Sequence, residues 1–373
     1  MSFSIIIQEK RIKTNFWLII GSFLVYLMGF YPDFVEKWYS LGFYPLFAKS
    51  LRFGTGWLGC SFGDLLYVAL GGWILIRFIQ FIRLIFRNGI GWNLCFEVLG
   101  MSVKWICIVY ISFNLFWGLN YHRQGIAHQL DIQNDHYTKE EIQSLTNELI
   151  EQTNFYRKAI SANDLPVYSF DKIKKEAILS YYSANQYYPF LKYPFNSIKA
   201  SSFNSIADYV GFSGYYNPFS GEAQLRTDIP SILLPFTTCH EIAHQLGYAS
   251  ESEANFVGFL TASKSSNPYF RYSAYLEMLN YALSEEFLLY ARDSSFKELE
   301  AVIQFNKSHI DTLVKKDRKE IRQFFNQRKN KIAPITADLY DQYLKLNKQL
   351  AGINSYDEVI GWLIAYKTKK GAL

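Results

Sequence analysis

The sequence predicts a mainly α fold, with three N-terminal transmembrane helices followed by an α+β domain that carries a small sheet. Three observations predict it. Long charge-free apolar stretches are confined to the first third of the 373-residue chain, amphipathic helical patterns fill most of the remainder, and one stretch rich in Gly, Pro and Asn, residues 209–234, interrupts them with short alternating runs. Half of the residues are hydrophobic and 18% are aromatic, yet 19% are charged, so apolar and polar sequence must be segregated. A chain longer than ~250–300 residues also favours more than one folding unit. The division falls between a membrane anchor, 1–124, and a second domain, 125–373.

The first span, residues 14–32, reads TNFWLIIGSFLVYLMGFYP without a charge, close to the ~20 residues that cross a ~30 Å hydrocarbon core. Lys10, Arg11 and Lys13 precede it as they would a secretory signal. The apolar run is longer than a signal's, however, and no small-residue cleavage pattern follows, so it reads as an uncleaved anchor. The second span, 56–76, contains one charge, Asp64, and passes into RFIQFIRLIFR, where Arg77, Gln80, Arg83 and Arg87 gather near one helical face. That piece is either a helix lying on the membrane surface or the end of the span with snorkelling arginines. The third span, 98–119, has Lys104 near one end and closes with NYHRQG, whose His122 and Arg123 read as headgroup-boundary residues. Lys10, Arg11, Lys13, Arg77, Arg83 and Arg87 on one side outnumber Lys37, Lys49 and Arg52 on the other. This places the N-terminus in the cytoplasm and, after three crossings of the cytoplasmic membrane, the rest of the chain outside.

The net charge of +5 comes without a basic block and gives no sign of a nucleic-acid partner. Cys60, Cys95, Cys107 and Cys239 have neither metal-ligand nor disulfide-framework spacing. Beyond residue 125, Thr138 and Glu141 stand in capping-box spacing at the start of a helix. Further helical patterns cover 170–186, 236–248, 251–265, 272–291, 296–328, 335–349 and 355–368. Within 209–234, loops and one or two short strands are expected, with EAQLRT the best strand candidate.

Pro235 suits a first helical turn and Gly247 a C-terminal stop, which puts TTCHEIAHQLG on a helix. Residues four apart on a helix share a face, so His240 and His244 aim their imidazoles at one point, as two ligands of a single Zn2+ require. Glu241 sits one step round, where a carboxylate can reach a zinc-held water without being a ligand. Catalytic zinc usually takes three protein groups, and SESEAN offers two acids. Ser250 and Glu253 stand in S-x-x-E spacing, which would occupy Glu253 in capping and leave Glu251 for the metal; the alternative makes Glu253 the ligand and Ser252 the cap. Asn255 shares a face with Glu251 and could support it from behind. Ala254 and Gly258 would let the second helix pack closely on the first.

HExxH followed by ExxAN resembles the glutamate-zincins, in which the third ligand comes from an ExxA-D or ExxA-N helix. The resemblance implies His240, His244 and Glu251 as ligands, Glu241 as general base and Asn255 as their support. More narrowly, the three spans together with GLNYHR, GYYNPFSGEAQ, LPFTTCHEIAHQLGYASESEANF and SYDEVIGWLIAY resemble an uncharacterised family of bacterial membrane proteins, domain of unknown function 3810. That resemblance implies a zincin-like domain on a membrane anchor. On this reading the chain is a zinc metallopeptidase acting on a peptide or protein substrate near the outer face of the membrane. The strand Glu222, Ala223, Gln224 and Leu225 would hold an extended substrate by edge pairing. An oxyanion donor is expected among Tyr215, Tyr216, Tyr248, Tyr272 and Tyr275. The alternative is a non-catalytic zinc-stabilised interaction or sensor module at the bilayer, which would have no need of Glu241.

Overall fold

The computed structural model describes residues 3–88, 91–132, 136–160, 165–347 and 356–373. Helix α1 (Phe3–Met28) ends ahead of Pro32. Tyr31, at φ −119° and ψ 77°, has left the helical region, as a residue before proline prefers. Pro32 then opens α2 (Pro32–Phe34), which runs on as a π-helix, Val35–Phe43, and as α3 (Tyr44–Thr55). After a glycine-rich turn come α4 (Phe62–Asn88) and α5 (Trp92–Phe116).

Among the described residues, two helices are long and apolar enough to cross a membrane, Phe62–Arg87 and Leu94–Phe116. The count reaches three only if Arg11–Met28 and Pro32–Thr55, bent by 96° at their junction, form one broken span. The expected boundaries therefore change. The first span, 14–32, is cut short at Met28 by the pre-proline turn. The second starts at Phe62 rather than residue 56, because GTGWLGCS turns and the Ser61 hydroxyl takes the Asp64 N–H at 3.0 Å. It then continues without a break through the arginine segment, which is the end of the same helix and not a separate surface element. The third begins earlier, at Trp92, and ends at Phe116 in a 3-10 turn, Gly118–His122.

The remainder comprises α6 (Gly125–Leu130), α7 (Lys139–Ala159), α8 (Phe170–Asn185), β1 (Ile198–Ala200), α9 (Asn204–Val210), β2 (Gly214–Asn217), β3 (Glu222–Leu225), α10 (Leu234–Gln245), α11 (Glu251–Ala262), α12 (Pro268–Asp293), α13 (Phe296–His309), α14 (Thr312–Gln327), α15 (Ala333–Leu346) and α16 (Tyr356–Lys370). Thr138 and Glu141 form the expected capping box on α7. The continuous pattern over 296–328 is two helices, because Asp311 accepts the Leu313 N–H at 2.9 Å and starts α14 afresh. Residues 348–355, which join the last two predicted helices, lie outside the described residues.

The sheet order is β1-β3-β2, with β1 parallel and β2 antiparallel to β3. The main core draws Ile142 and Leu149 from α7, Ile242 from α10, Val257 from α11, Leu279 from α12 and Leu363 from α16. Helices α10 and α11 are buried nearly all round, so their polar residues face other protein groups or an internal cavity rather than solvent.

Segments ahead of residue 125 enter this packing. Glu222 accepts the Phe62 N–H at 3.1 Å and also the Gly63 N–H. A buried carboxylate thus meets the positive end of α4. Asp64, one turn in, accepts the Ser202 N–H at 2.7 Å and the Tyr215 hydroxyl, so a helix long and apolar enough to span a membrane is tied to the sheet.

Candidate metal centre

Pro235 lies in the first turn of α10, and the helix stops at Gly247, whose φ of +89° only glycine adopts without strain. Side chains from the N-terminal segments satisfy the carbonyls left open there. The Tyr44 hydroxyl donates to the His244 and Gln245 carbonyls at 3.3 and 3.1 Å, and Arg52 Nη1 to Gln245 at 2.9 Å. Trp117 Nε1 reaches the His244 carbonyl at 3.3 Å and Arg123 Nη1 the Gly247 carbonyl at 3.1 Å. Positive and donor groups at a helix C-terminus also favour its dipole. Gly258 allows α11 to lie against α10: a Cβ there would stand 3.2 Å from the His240 nitrogen.

The short turn returns Glu251 to the two imidazoles. His240 Nε2 and His244 Nε2 are 3.1 Å apart, with Glu251 Oε2 at 3.3 Å from the first and Glu251 Oε1 at 3.7 Å from the second. These three side chains form a group that could hold a metal ion. His244 Nδ1 lies 2.7 Å from the Tyr248 carbonyl; since a carbonyl only accepts, Nδ1 carries the proton and Nε2 turns its lone pair to the cluster. Burial pushes His244 down to about 4, so its ring is neutral. Burial also opposes charge on His240, but Glu251 outweighs it and raises that ring. Glu251 resists burial in turn, held down to about 2 by the two histidines and by the Tyr340 hydroxyl, which donates at 2.6 Å. Burial pushes Glu241 up to about 8, and its Oε2 has no hydrogen-bond partner. Asn255, one turn beyond Glu251, lines the same cavity and lies close enough to His240 to favour its charged form.

Glu253 is elsewhere. It accepts the Ile126 N–H at 2.7 Å, and the expected cap does not form: the Ser250 hydroxyl meets Ser252 at 2.6 Å instead. Glu253 is occupied by a distant backbone group, a partner that local spacing could not reveal.

The expected oxyanion tyrosines also need correction. Tyr248 donates to Gln129 at 2.8 Å, Tyr272 to Asp317 at 2.6 Å, and Tyr275 stacks on Tyr156. None of the three lines the cavity at the cluster; Tyr215 and Tyr216 do. The substrate-edge expectation for Glu222, Ala223, Gln224 and Leu225 is overturned by the sheet order. Strand β3 is central, hydrogen-bonded on both sides, and all four residues are buried. The edge strand beside the cavity is β2.

The cavity has a volume of about 950 Å³ and runs from the cluster to Tyr67 of α4 and to Trp117 and Tyr121 beyond α5. Sequence reasoning missed Trp117, Tyr340, Tyr343 and Glu277, all of which line it. No motif marks them, because they arrive from three separate places: Trp117 just beyond α5, Glu277 on α12, and Tyr340 and Tyr343 on α15. Gly214 shows how tightly β2 approaches: a Cβ there would stand 2.5 Å from Glu241 Oε1. Gly214→Ala is therefore expected to displace the Glu241 carboxylate while His240, His244 and Glu251 keep their positions, as read in a structure of the variant. A Glu241 side chain left where it is in the parent would show that β2 does not set its position.

A family model described as "Protein of unknown function (DUF3810)" matches residues 39–364. No curated protein and no solved structure matches the chain.

Proposed function

We propose that this chain, which belongs to the DUF3810 family, is a membrane-anchored, zinc-dependent peptidase with a zincin-like catalytic domain. The observation that carries the reading is the spacing of the three donor side chains. Tetrahedral ligands at ~2.0–2.1 Å from zinc stand ~3.3 Å apart, and the separations here are 3.1, 3.3 and 3.7 Å. Two imidazoles and a carboxylate are a donor set of catalytic zinc, whose bound cation supplies Lewis acidity that polarises a carbonyl and makes water nucleophilic near neutral pH.

Glu241 Oε2, buried and unpartnered, is placed to take a proton from the attacking water and return it to the leaving amine. The Tyr340 hydroxyl and the Tyr248 carbonyl orient Glu251 and His244. Strand β2 offers a free edge to an extended substrate backbone. A purely structural metal needs no open side; this cluster opens on a cavity of 950 Å³, which favours catalysis over an interaction or sensor module.

Trp117 directly follows the Leu94–Phe116 span, and its ring lies 5.9 Å from that of His244. Substrates are accordingly peptide segments within reach of the bilayer surface. Arg77, Arg83 and Arg87, toward the end of α4 away from Trp117, support the outer face of the cytoplasmic membrane as that surface.

Full-length protein in detergent is expected to retain about one zinc per chain, with His240→Ala and Glu251→Ala each weakening binding by more than ~100-fold and Glu253→Gln leaving it unchanged. Parent protein that remains zinc-free after saturation and dialysis would sink the reading.

A further inference from the structure

One carboxylate in the cavity has no part in the chemistry above. Glu277 of α12 lines it together with Asn280 and Tyr281. Its position follows from the packing of α10 on α12. The Phe236 N–H donates to Ser273 Oγ at 3.1 Å, and one turn further along each helix come His240 and Glu277.

Among the described residues that line the cavity there is no Lys and no Arg, against three acids, Glu241, Glu251 and Glu277. Arg318 of α14 gives its Nε–H to Asn280 at 3.1 Å. Burial disfavours the charged form of Glu277 and pushes its carboxyl up, with only Tyr281, His240 and Asn280 acting the other way. Glu251 faces the metal and Glu241 the water, which leaves Glu277 without a cation in a site where charge is poorly screened. The unpartnered Glu241 Oε2, 4% exposed as a residue, points to an occupant of the same cavity.

We infer that Glu277 is a specificity-determining residue that receives a cationic nitrogen of the substrate, in the same cavity onto which the three metal-ligand candidates open. The inference rests on the peptidase reading. The nitrogen could belong to a basic side chain or to a free peptide N-terminus; both place a desolvated cation against a half-buried carboxylate, where a charge-assisted hydrogen bond is strong. Phe212, Phe325 and Tyr343 of the same cavity would cover the apolar portion of such a residue.

The test uses zinc-loaded, full-length Glu241→Gln protein, which is expected to bind without turnover, and short fluorescent peptides. In one series a single lysine occupies each position in turn, beside the same peptides with acetyl-lysine. In the other, the N-terminus is free or acetylated. At least tenfold tighter binding of the cationic member is expected in one series, and that series identifies the source of the charge. Adding Glu277→Gln should erase the preference, and Glu277→Lys should reverse it. Equal affinity in both series, no binding in either, or a preference that survives Glu277→Gln overturns the inference. Cleavage by protein with Glu241 intact separates the two readings. Charge preference in binding without any cleavage overturns the peptidase reading alone, whereas cleavage indifferent to charge overturns the role of Glu277 alone.

Discussion

Glu241→Gln is expected to lower peptide hydrolysis by ~10²–10⁴-fold, the usual contribution of a positioned acid-base group, while zinc content stays at the parent level. Gln keeps the shape of the side chain but removes the basic oxygen. Because Glu241 is not among the three side chains that converge on the metal position, its loss leaves the ligands in place. Burial raises this carboxyl to about 8 in the metal-free site, and a bound cation draws it back down. A base works only when deprotonated, so activity should fall as pH drops through the resulting value. That acid limb should disappear from whatever residual activity Glu241→Gln retains. Mass spectrometry of peptide products, paired with metal analysis, checks both points. A Gln variant as active as the parent would remove Glu241 from the chemistry.

The second large effect concerns stability at the junction of the N-terminal segments and the site. Glu36→Ala is expected to cost about 3–5 kcal/mol, because it strands a buried guanidinium. Arg123 donates from Nε and Nη2 to the two oxygens of Glu36 at 2.9 and 2.8 Å, and the side chains are 3% and 8% exposed. The same arginine holds the Gly247 carbonyl and lies over the Tyr248 ring, 4.8 Å from its centroid. Tyr248 in turn supplies the carbonyl that orients His244. Destabilisation should therefore reach the metal position and weaken zinc binding along with thermal stability. Replacing both partners, Glu36→Leu with Arg123→Met, should recover much of the loss, since a paired apolar substitute leaves no unmatched charge. Thermal unfolding in detergent with and without chelator measures this; a Glu36→Ala protein as stable as the parent would show that the pair does not hold the turn. A fragment beginning at residue 125 would also lack Tyr44, Arg52, Trp117 and Arg123, the donors that cap α10, and is expected to bind zinc poorly.

Much of the fold was legible because it follows from neighbours in sequence. The capping box at Thr138 and Glu141, the start of α10 at Pro235 and its stop at Gly247 involve groups within one or two turns of each other. The errors have the same origin. A helical period continues across Ile310, yet Asp311 caps a new helix, and Ser250 has capping spacing to Glu253 although its hydroxyl turns to Ser252. Strand β3 was recognisable from its residues, but its central place depends on β1 and β2, which approach it from opposite sides.

What the sequence determined by itself is periodic. Apolar runs of bilayer length and two histidines four residues apart beside a glutamate owe their arrangement to helix geometry, which any helical stretch imposes. Tertiary structure alone decided that Glu251 rather than Glu253 stands beside both imidazoles, that Tyr340 reaches Glu251 from 89 positions away, and that Glu277 shares their cavity. It also decided that the N-terminal segments cap the histidine helix. Those outcomes depend on which buried surfaces meet, and side-chain contacts between distant segments leave no period to read.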